Sequence, residues 1–314
     1  MYAKHGAFWF VDRAGRWHRL GREYAEALRA YAALQDRFPD PTLDLLIARY
    51  ENEVLPQRAP ATRASRKQEF KRIRKVFGRV HPKDISGADA WTYYTAAGQT
   101  QQARHELAAF SAILGWAVKW GNLDRNPLVR LGLPGHAPRS RYVTDAEFLA
   151  VRELARPMVR AAMNIALITG LRQRDILNLE RRQIAGSTLT VTASKTGKAQ
   201  AFPLTADLEE AIRAALREPP QVRRFVVAGR SGKPYTTDGF QAIWQRLQRK
   251  ALKAGAIAER FTFHDLRAKS ISDAGSLEEG RARAGHSDAR ITAAVYRRLP
   301  EPAPVLDIGK LRGK

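Results

Sequence analysis

The chain has 314 residues, with 54 Lys and Arg against 31 Asp and Glu, a formal net charge of +23, and no cysteine. That length is ample for two or three packed domains, and the absence of thiols excludes disulfides, thiolate zinc sites and thiol nucleophiles. The charge surplus points to a polyanionic partner, nucleic acid ahead of anionic lipid. No apolar run approaches the roughly 20 residues of a membrane helix, and residues 1–6 lack the apolar stretch of a signal peptide, so the expected compartment is the cytoplasm.

The first forty residues predict a small β-rich module. Ala7-Phe8-Trp9-Phe10-Val11 and Arg16-Trp17-His18-Arg19-Leu20 are strand candidates on either side of the turn signal Asp12-Arg13-Ala14-Gly15. A helix over residues 25–38 ends at Pro39 and Pro41. From Thr42 to about Leu133 the periodicity is helical. Leu43, Leu46, Ile47 and Tyr50 share one spacing, and Leu107, Phe110, Ile113, Leu114 and Trp116 another. Over residues 63–77, Phe70, Ile73 and Phe77 mark an apolar face, while Arg63, Arg66, Lys67, Lys71, Arg72, Arg74 and Lys75 surround a single acid, Glu69. A solvated helix mixes both signs, so this bias predicts contact with a DNA backbone, with Arg63, Arg66, Lys67, Lys71 and Arg74 as the candidate residues.

Residues 134–141, rich in Pro and Gly, read as a linker, after which Thr144-Asp145-Ala146-Glu147 is a capping-box signature. The remainder, to about Leu299, predicts one α+β domain. An apolar helix over 158–169 stops at Gly170, and Arg172 follows at the start of a helix over 173–179. Asp175 lies on the same side as Arg172, placed either to hold a basic neighbour or simply to favour the helix dipole. Two strand candidates bracket Ser194-Lys195-Thr196-Gly197-Lys198 as a hairpin, with Lys195 or Lys198 at its tip. His264 and Arg267 are three apart in Thr262-Phe263-His264-Asp265-Leu266-Arg267, His286 follows Gly285 at a predicted helix junction, and Tyr296 falls in a helix expected over 288–299.

Each piece alone has a bland explanation: an arginine bonding helix-end carbonyls, a solvated hairpin lysine, a half-buried tyrosine. Together they form a set able to attack a phosphodiester without a metal. Arg172 and Arg267 offer forked bonds to the charge that builds on the non-bridging oxygens. Tyr296, with an ordinary pKa of about 10, needs the base or positive field that His264 and His286 supply. Lys195 is the candidate donor to the departing 5′-oxygen. The product is a 3′-phosphotyrosine, which stores the energy of the broken bond.

These boxes resemble those of the tyrosine recombinases, the phage integrase family. That family carries a Thr-Gly-x-Arg box followed by an acid, a hairpin lysine, His-x-x-Arg, Gly-His and a late tyrosine. The resemblance carries over to Arg172, Asp175, Lys195, His264, Arg267, His286 and Tyr296. It implies a fold that is mainly α with small β elements: an arm-type DNA-binding module over 1–40, a helical core-binding domain over 41–135, a catalytic domain over 142–300 and a C-terminal tail over 301–314. It also implies a homotetramer on synapsed duplex attachment sites, without metal or cofactor, in a bacterial host's cytoplasm at the nucleoid, with a host DNA-bending protein and a directionality factor as further partners. The arm-like module favours a phage or prophage integrase. An integrative conjugative element, an Xer-like recombinase and a non-catalytic regulator on the same fold are the alternatives. Two features depart from the family: Ala284 stands where leucine is usual, and residues 276–283 are more charged than expected.

Overall fold

The computed structural model describes residues 2–11, 16–37, 42–135, 139–285 and 298. The chain divides within the Pro–Gly stretch into two compact units, Met1–His136 and Ala137–Lys314.

The first unit opens with an antiparallel sheet of β1 (Tyr2–Lys4), β2 (Ala7–Val11) and β3 (Trp17–Gly21), with β2 in the middle. A register shift between Phe8 and Trp9 lets Phe8 sit opposite Gly21 and Trp9 opposite Arg19. Helix α1 (Tyr24–Arg37) covers one face through edge-on ring contacts of Phe8 with Tyr24 and Phe10 with Tyr31. Two corrections to the sequence reading concern strands: β3 starts one residue later than expected, and β1 was not anticipated. Three exposed residues without alternation carry no periodic signal. The predicted turn at 12–15 lies outside the described residues.

Four further helices follow: α2 (Leu43–Glu53), α3 (Pro60–Phe77), α4 (Gly87–Ala96) and α5 (Gln101–Lys119). The expected apolar stripes meet in one core, with Ile47, Phe70, Ile73, Phe110 and Ile113 all fully buried. Ser86 and Asp89 close a capping box on α4, and the Thr100 hydroxyl caps α5. Inside this core sits Glu106, 2 % exposed, accepting from Arg72, from the Tyr93 hydroxyl and from Gln102 Nε2 at 3.0 Å. A buried carboxylate needs such a complement, because an uncompensated charge is far costlier than the bonds are favourable.

The second unit is built around α7 (Pro157–Thr169), apolar on nearly all sides, which packs against α9 (Ala206–Arg217) and α11 (Phe263–Ser272). Helix α6 (Asp145–Leu154) starts at the predicted Thr144–Glu147 capping box. The short helix α8 (Gln173–Leu177) leads to an antiparallel sheet of β4 (Ile184–Ala185), β5 (Thr188–Thr192) and β6 (Ala199–Pro203). Helix α10 (Thr237–Lys253) adds Phe240 and Trp244, whose rings meet Phe263 edge-on at 5.0 and 5.2 Å, while Trp244 Nε1 donates to the Phe261 carbonyl. Helix α12 (Leu277–Ala284) completes the described order. Its unusual charges pair within the helix, Arg281 with Glu278 and Arg283 with Glu279. Among the described residues no helix is long and apolar enough to cross a membrane.

Burial alone would raise the Glu106 carboxyl, but its bonds from Tyr93, Arg72 and Gln102 outweigh burial and hold it below its ordinary 4.5. A depressed folded-state pKa gives stability that is present above the unfolded value and lost as pH falls through the folded one. The first unit is therefore expected to lose stability on acidification below about pH 4.5. In an acid titration of unfolding, Glu106→Gln flattens that dependence, and a slope identical to wild type would show that Glu106 does not carry it.

Candidate active site

Helix α7 ends on Gly170, which adopts the left-handed conformation at φ 64°. A Cβ there would also meet Arg283 Cγ and Ser270 Oγ at 3.2 Å, so glycine is required twice over. Two residues on, Arg172 occupies the N-cap of α8, half-buried, its carbonyl taking the Asp175 and Ile176 amides at 2.9 and 3.1 Å. The second glycine box repeats the device. Gly285 caps α12 at φ 62°, and its Cβ position is filled by the Gln200 amide at 2.6 Å. From Gly285 the chain continues to His286, which with Tyr296 lies outside the described residues.

What joins the two boxes is Arg267. It is 2 % exposed, and its guanidinium donates through Nη1 to the Gly170 carbonyl and through Nη2 to the Ala284 carbonyl at 2.6 Å. Both acceptors are helix C-terminal carbonyls, the negative ends of α7 and α12, so a cation between them is favoured twice. The bland alternative considered for Arg172, an arginine bonding helix-end carbonyls, is what Arg267 does. His264 and Arg267, three apart on α11, differ sharply in burial: Arg267 is buried, while His264 is the one exposed residue of that helix.

His264 stands in a positive field. Its imidazole is held below the ordinary value by desolvation first, then by the Arg267 guanidinium, and further by Arg298 and Arg172, with Asp265 opposing. The ring is neutral at pH 7 and able to accept a proton.

Asp175 is 5 % exposed and pairs with no basic group among the described residues: its Oδ1 accepts the Ser194 amide at 2.9 Å. It thus pins the end of β5, next to Lys195, which is exposed on the turn between β5 and β6. Gln200, on β6, donates to the carbonyls of Ala282 at 3.0 Å and Arg283 at 3.3 Å, tying the hairpin to the end of α12. Sequence reasoning missed Gln200, and a lone glutamine in a strand gives no signal for this role.

Sequence reasoning also passed over Asp265 and Arg298. Asp265 caps α11 by accepting from the Thr262 amide and hydroxyl at 2.6 and 2.7 Å, and it receives Arg298 Nη1 at 2.8 Å. The Thr262-x-x-Asp265 spacing is the signal that was available for the cap. The helix predicted over 288–299 lies outside the described residues except at Arg298, where the backbone is irregular rather than helical.

On α3, in the other unit, the basic residues separate into two groups. Arg66 pairs with Glu69 at 2.8 Å, Arg72 with Glu106, and Arg74 with Asp44 at 2.6 Å and Glu51 at 3.0 Å. Arg63, Lys67, Lys71 and Lys75 are exposed and have no carboxylate partner among the described residues. They recur every fourth position, about 6 Å apart along the helix. Among the described residues no group of three His, Asp or Glu is arranged to hold a metal ion.

Substituting Arg267→Lys is expected to cost about 3 kcal/mol of stability, because one ammonium cannot fork between two buried carbonyls and an unsatisfied buried acceptor costs about 1–3 kcal/mol. Denaturant unfolding checks this. A variant as stable as wild type would mean that the bridge between Gly170 and Ala284 is dispensable.

Residues 149–301 match the phage integrase family. The integrase of Escherichia phage HK022 is 26 % identical over 176 residues, 54 % of this chain and 49 % of that protein. The integrase of Enterobacteria phage 434 is 24 % identical over 186 residues, 56 % of this chain and 52 % of that one. The matched stretch thus spans about half the length of these curated relatives. Among solved structures, a lambda integrase tetramer bound to a Holliday junction superposes with a TM-score of 0.71 at 22 % identity, covering 97 % of both chains. The Tn1549 transposon integrase in complex with circular intermediate DNA superposes with a TM-score of 0.67 at 15 % identity, covering 87 % of this chain and 99 % of that one. At these identities the superpositions establish the fold, mainly α with small antiparallel sheets. The likeness to the phage integrase family is carried by residues 149–301, just under half of the chain.

Proposed function

We propose that this protein is a site-specific DNA recombinase, the integrase of a temperate phage or prophage, which cleaves and rejoins DNA through a 3′-phosphotyrosine. The carrying observation is the convergence around Arg267: one guanidinium bonds the carbonyls two residues before Arg172 and two residues before His286. It does so from the helix that presents His264 to solvent.

In this reading Arg172 binds the non-bridging oxygens of the scissile phosphate, and Arg267 adds its charge from beneath. Such preorganised stabilisation of developing charge is usually the largest catalytic contribution. The Tyr296 phenol loses its proton to an imidazole, His264 or His286, and its oxygen forms the new bond to phosphorus. The bond to the 5′-oxygen breaks, and Lys195 at the exposed hairpin tip delivers the proton that this oxygen takes up. Asp175 supports the step by fixing Ser194, the residue before Lys195. No metal or cofactor takes part in this scheme.

The row Arg63, Lys67, Lys71 and Lys75 serves as the backbone-binding surface of the core-binding domain, residues 41–135. Arg66 and Arg74 were also candidates, but their charge is already matched by carboxylates, so they contribute less. The β-rich module over 1–40 binds arm-type DNA, the domain over 142–300 carries the chemistry, and the tail over 301–314 links protomers. Lambda integrase has been solved as a dimer on a core site and as a tetramer on a Holliday junction. We extend that assembly to a homotetramer here, with attachment-site duplexes as substrate, a host DNA-bending protein and a directionality factor as partners, and the bacterial cytoplasm as the place of action. The likeness to a transposon integrase keeps an integrative conjugative element as the second reading.

Incubation with a nicked suicide duplex, followed by a denaturing gel, tests the chemistry. Wild type is expected to remain covalently on DNA in the presence of EDTA, and Tyr296→Phe to bind without forming adduct. Adduct formed by Tyr296→Phe would place the nucleophile elsewhere, and activity lost to EDTA and restored by magnesium would favour a metal-dependent nuclease.

The basic row has its own test in the salt dependence of binding. Removing two phosphate contacts lowers the log–log salt slope by about 0.9 each. The double substitution Lys67→Gln and Lys71→Gln is therefore expected to flatten the slope by about two, whereas Arg66→Gln leaves it nearly unchanged. Equal effects from both would show that the ion pairs do not sort these residues.

A further inference from the structure

Arg298 stands two residues beyond Tyr296, and it is bonded at three points. Its backbone amide donates to Ser272 Oγ at 2.8 Å, at the last residue of α11. Its Nη1 donates to Asp265 Oδ1 at 2.8 Å, in the first turn of the same helix, and to the Arg141 carbonyl. The side chain therefore lies along α11. The ion pair is buried, the two side chains being 6 % and 5 % exposed. Asp265 immediately follows His264 and is itself fixed by Thr262.

We propose that Arg298 is a positioning residue for the nucleophile: by locking onto Asp265, Arg141 and Ser272 it fixes the point from which Tyr296 reaches the phosphate. The inference rests on the recombinase reading above. Two residues of chain span at most about 7 Å, so by fixing Arg298 to α11 these bonds limit how far the position two residues before it can move from that helix. The anchor shares a helix with His264 and Arg267, so nucleophile, imidazole and buried guanidinium are referred to one rigid element. A buried ion pair is poorly suited to gradual loosening, since separation leaves each charge uncompensated. The anchor is therefore either made or broken, and a tyrosine displaced beyond the leash requires the pair to open. Misplacement of a reacting group by about 1 Å lowers rate on the order of 10²-fold, so a leash of this length matters chiefly to the chemical step.

The test compares single-turnover covalent-complex formation on a nicked suicide duplex at saturating protein with DNA affinity and the thermal midpoint. Arg298→Ala is expected to slow adduct formation about 10²-fold at an unchanged Kd. Asp265→Asn should move the rate in the same direction. Arg298→Lys, which keeps the buried charge but not the guanidinium's reach and shape, is expected to fall between, roughly tenfold slow, and it carries the test if Arg298→Ala does not fold. A wild-type rate in these variants, or a rate that falls only in step with binding and thermal midpoint, overturns the positioning role while leaving the recombinase reading intact. Wild type that forms no adduct overturns that reading and this inference with it.

Discussion

The second unit depends on one guanidinium set between two helix ends. Arg267 satisfies a terminal carbonyl of α7 and one of α12, and each helix stops on a glycine in the left-handed conformation. Remove that cation and two negative helix ends face each other across a buried gap with unsatisfied acceptors. The rest of α11 is organised to make this burial tolerable. Lys269, 1 % exposed, is matched by Asp145 at 2.6 Å and Asp273 at 2.9 Å, and Asp265 is matched by Arg298. A helix bearing three buried charges stays folded because each has a partner of fixed geometry.

The fold was legible wherever burial follows a simple period. The stripes of α2, α3 and α5, the capping box of α6 and the left-handed caps at Gly170 and Gly285 could be read from residue type and spacing alone, because each is a local rule. Helix α11 could not. His-Asp-Leu-Arg-Ala-Lys-Ser-Ile-Ser looks like a half-exposed helix, and only the partners that arrive from residues 141–145, 170, 284 and 298 show that it is embedded. Those partners lie from tens to more than a hundred residues away, and no local pattern encodes them.

The candidate site shows the same division. The residue types and their order marked out the candidate boxes, but not which members face solvent and which hold the frame. Arg172 and His264 are accessible, whereas Arg267 and Asp175 are consumed by backbone groups. On α3, seven bases looked equivalent in sequence, and the carboxylates of Asp44, Glu51, Glu69 and Glu106 divide them. Three of those acids lie on other helices, so the sorting exists only after folding.

The hairpin between β5 and β6 is fastened at its base and open at its tip. Asp175 grips Ser194, Gln200 grips the end of α12, and residues 194–199 between them are all exposed. Few packing restraints act on those tip residues, so their length and composition are free to vary while the frame around Arg267 stays intact. An exposed, lightly packed turn and a bonded frame thus occupy separate parts of the same unit. Changes at the tip alter how far Lys195 extends, and changes at Asp175 or Gln200 alter where it starts. A unit built this way tolerates drift in a loop, with no new solution required for the core.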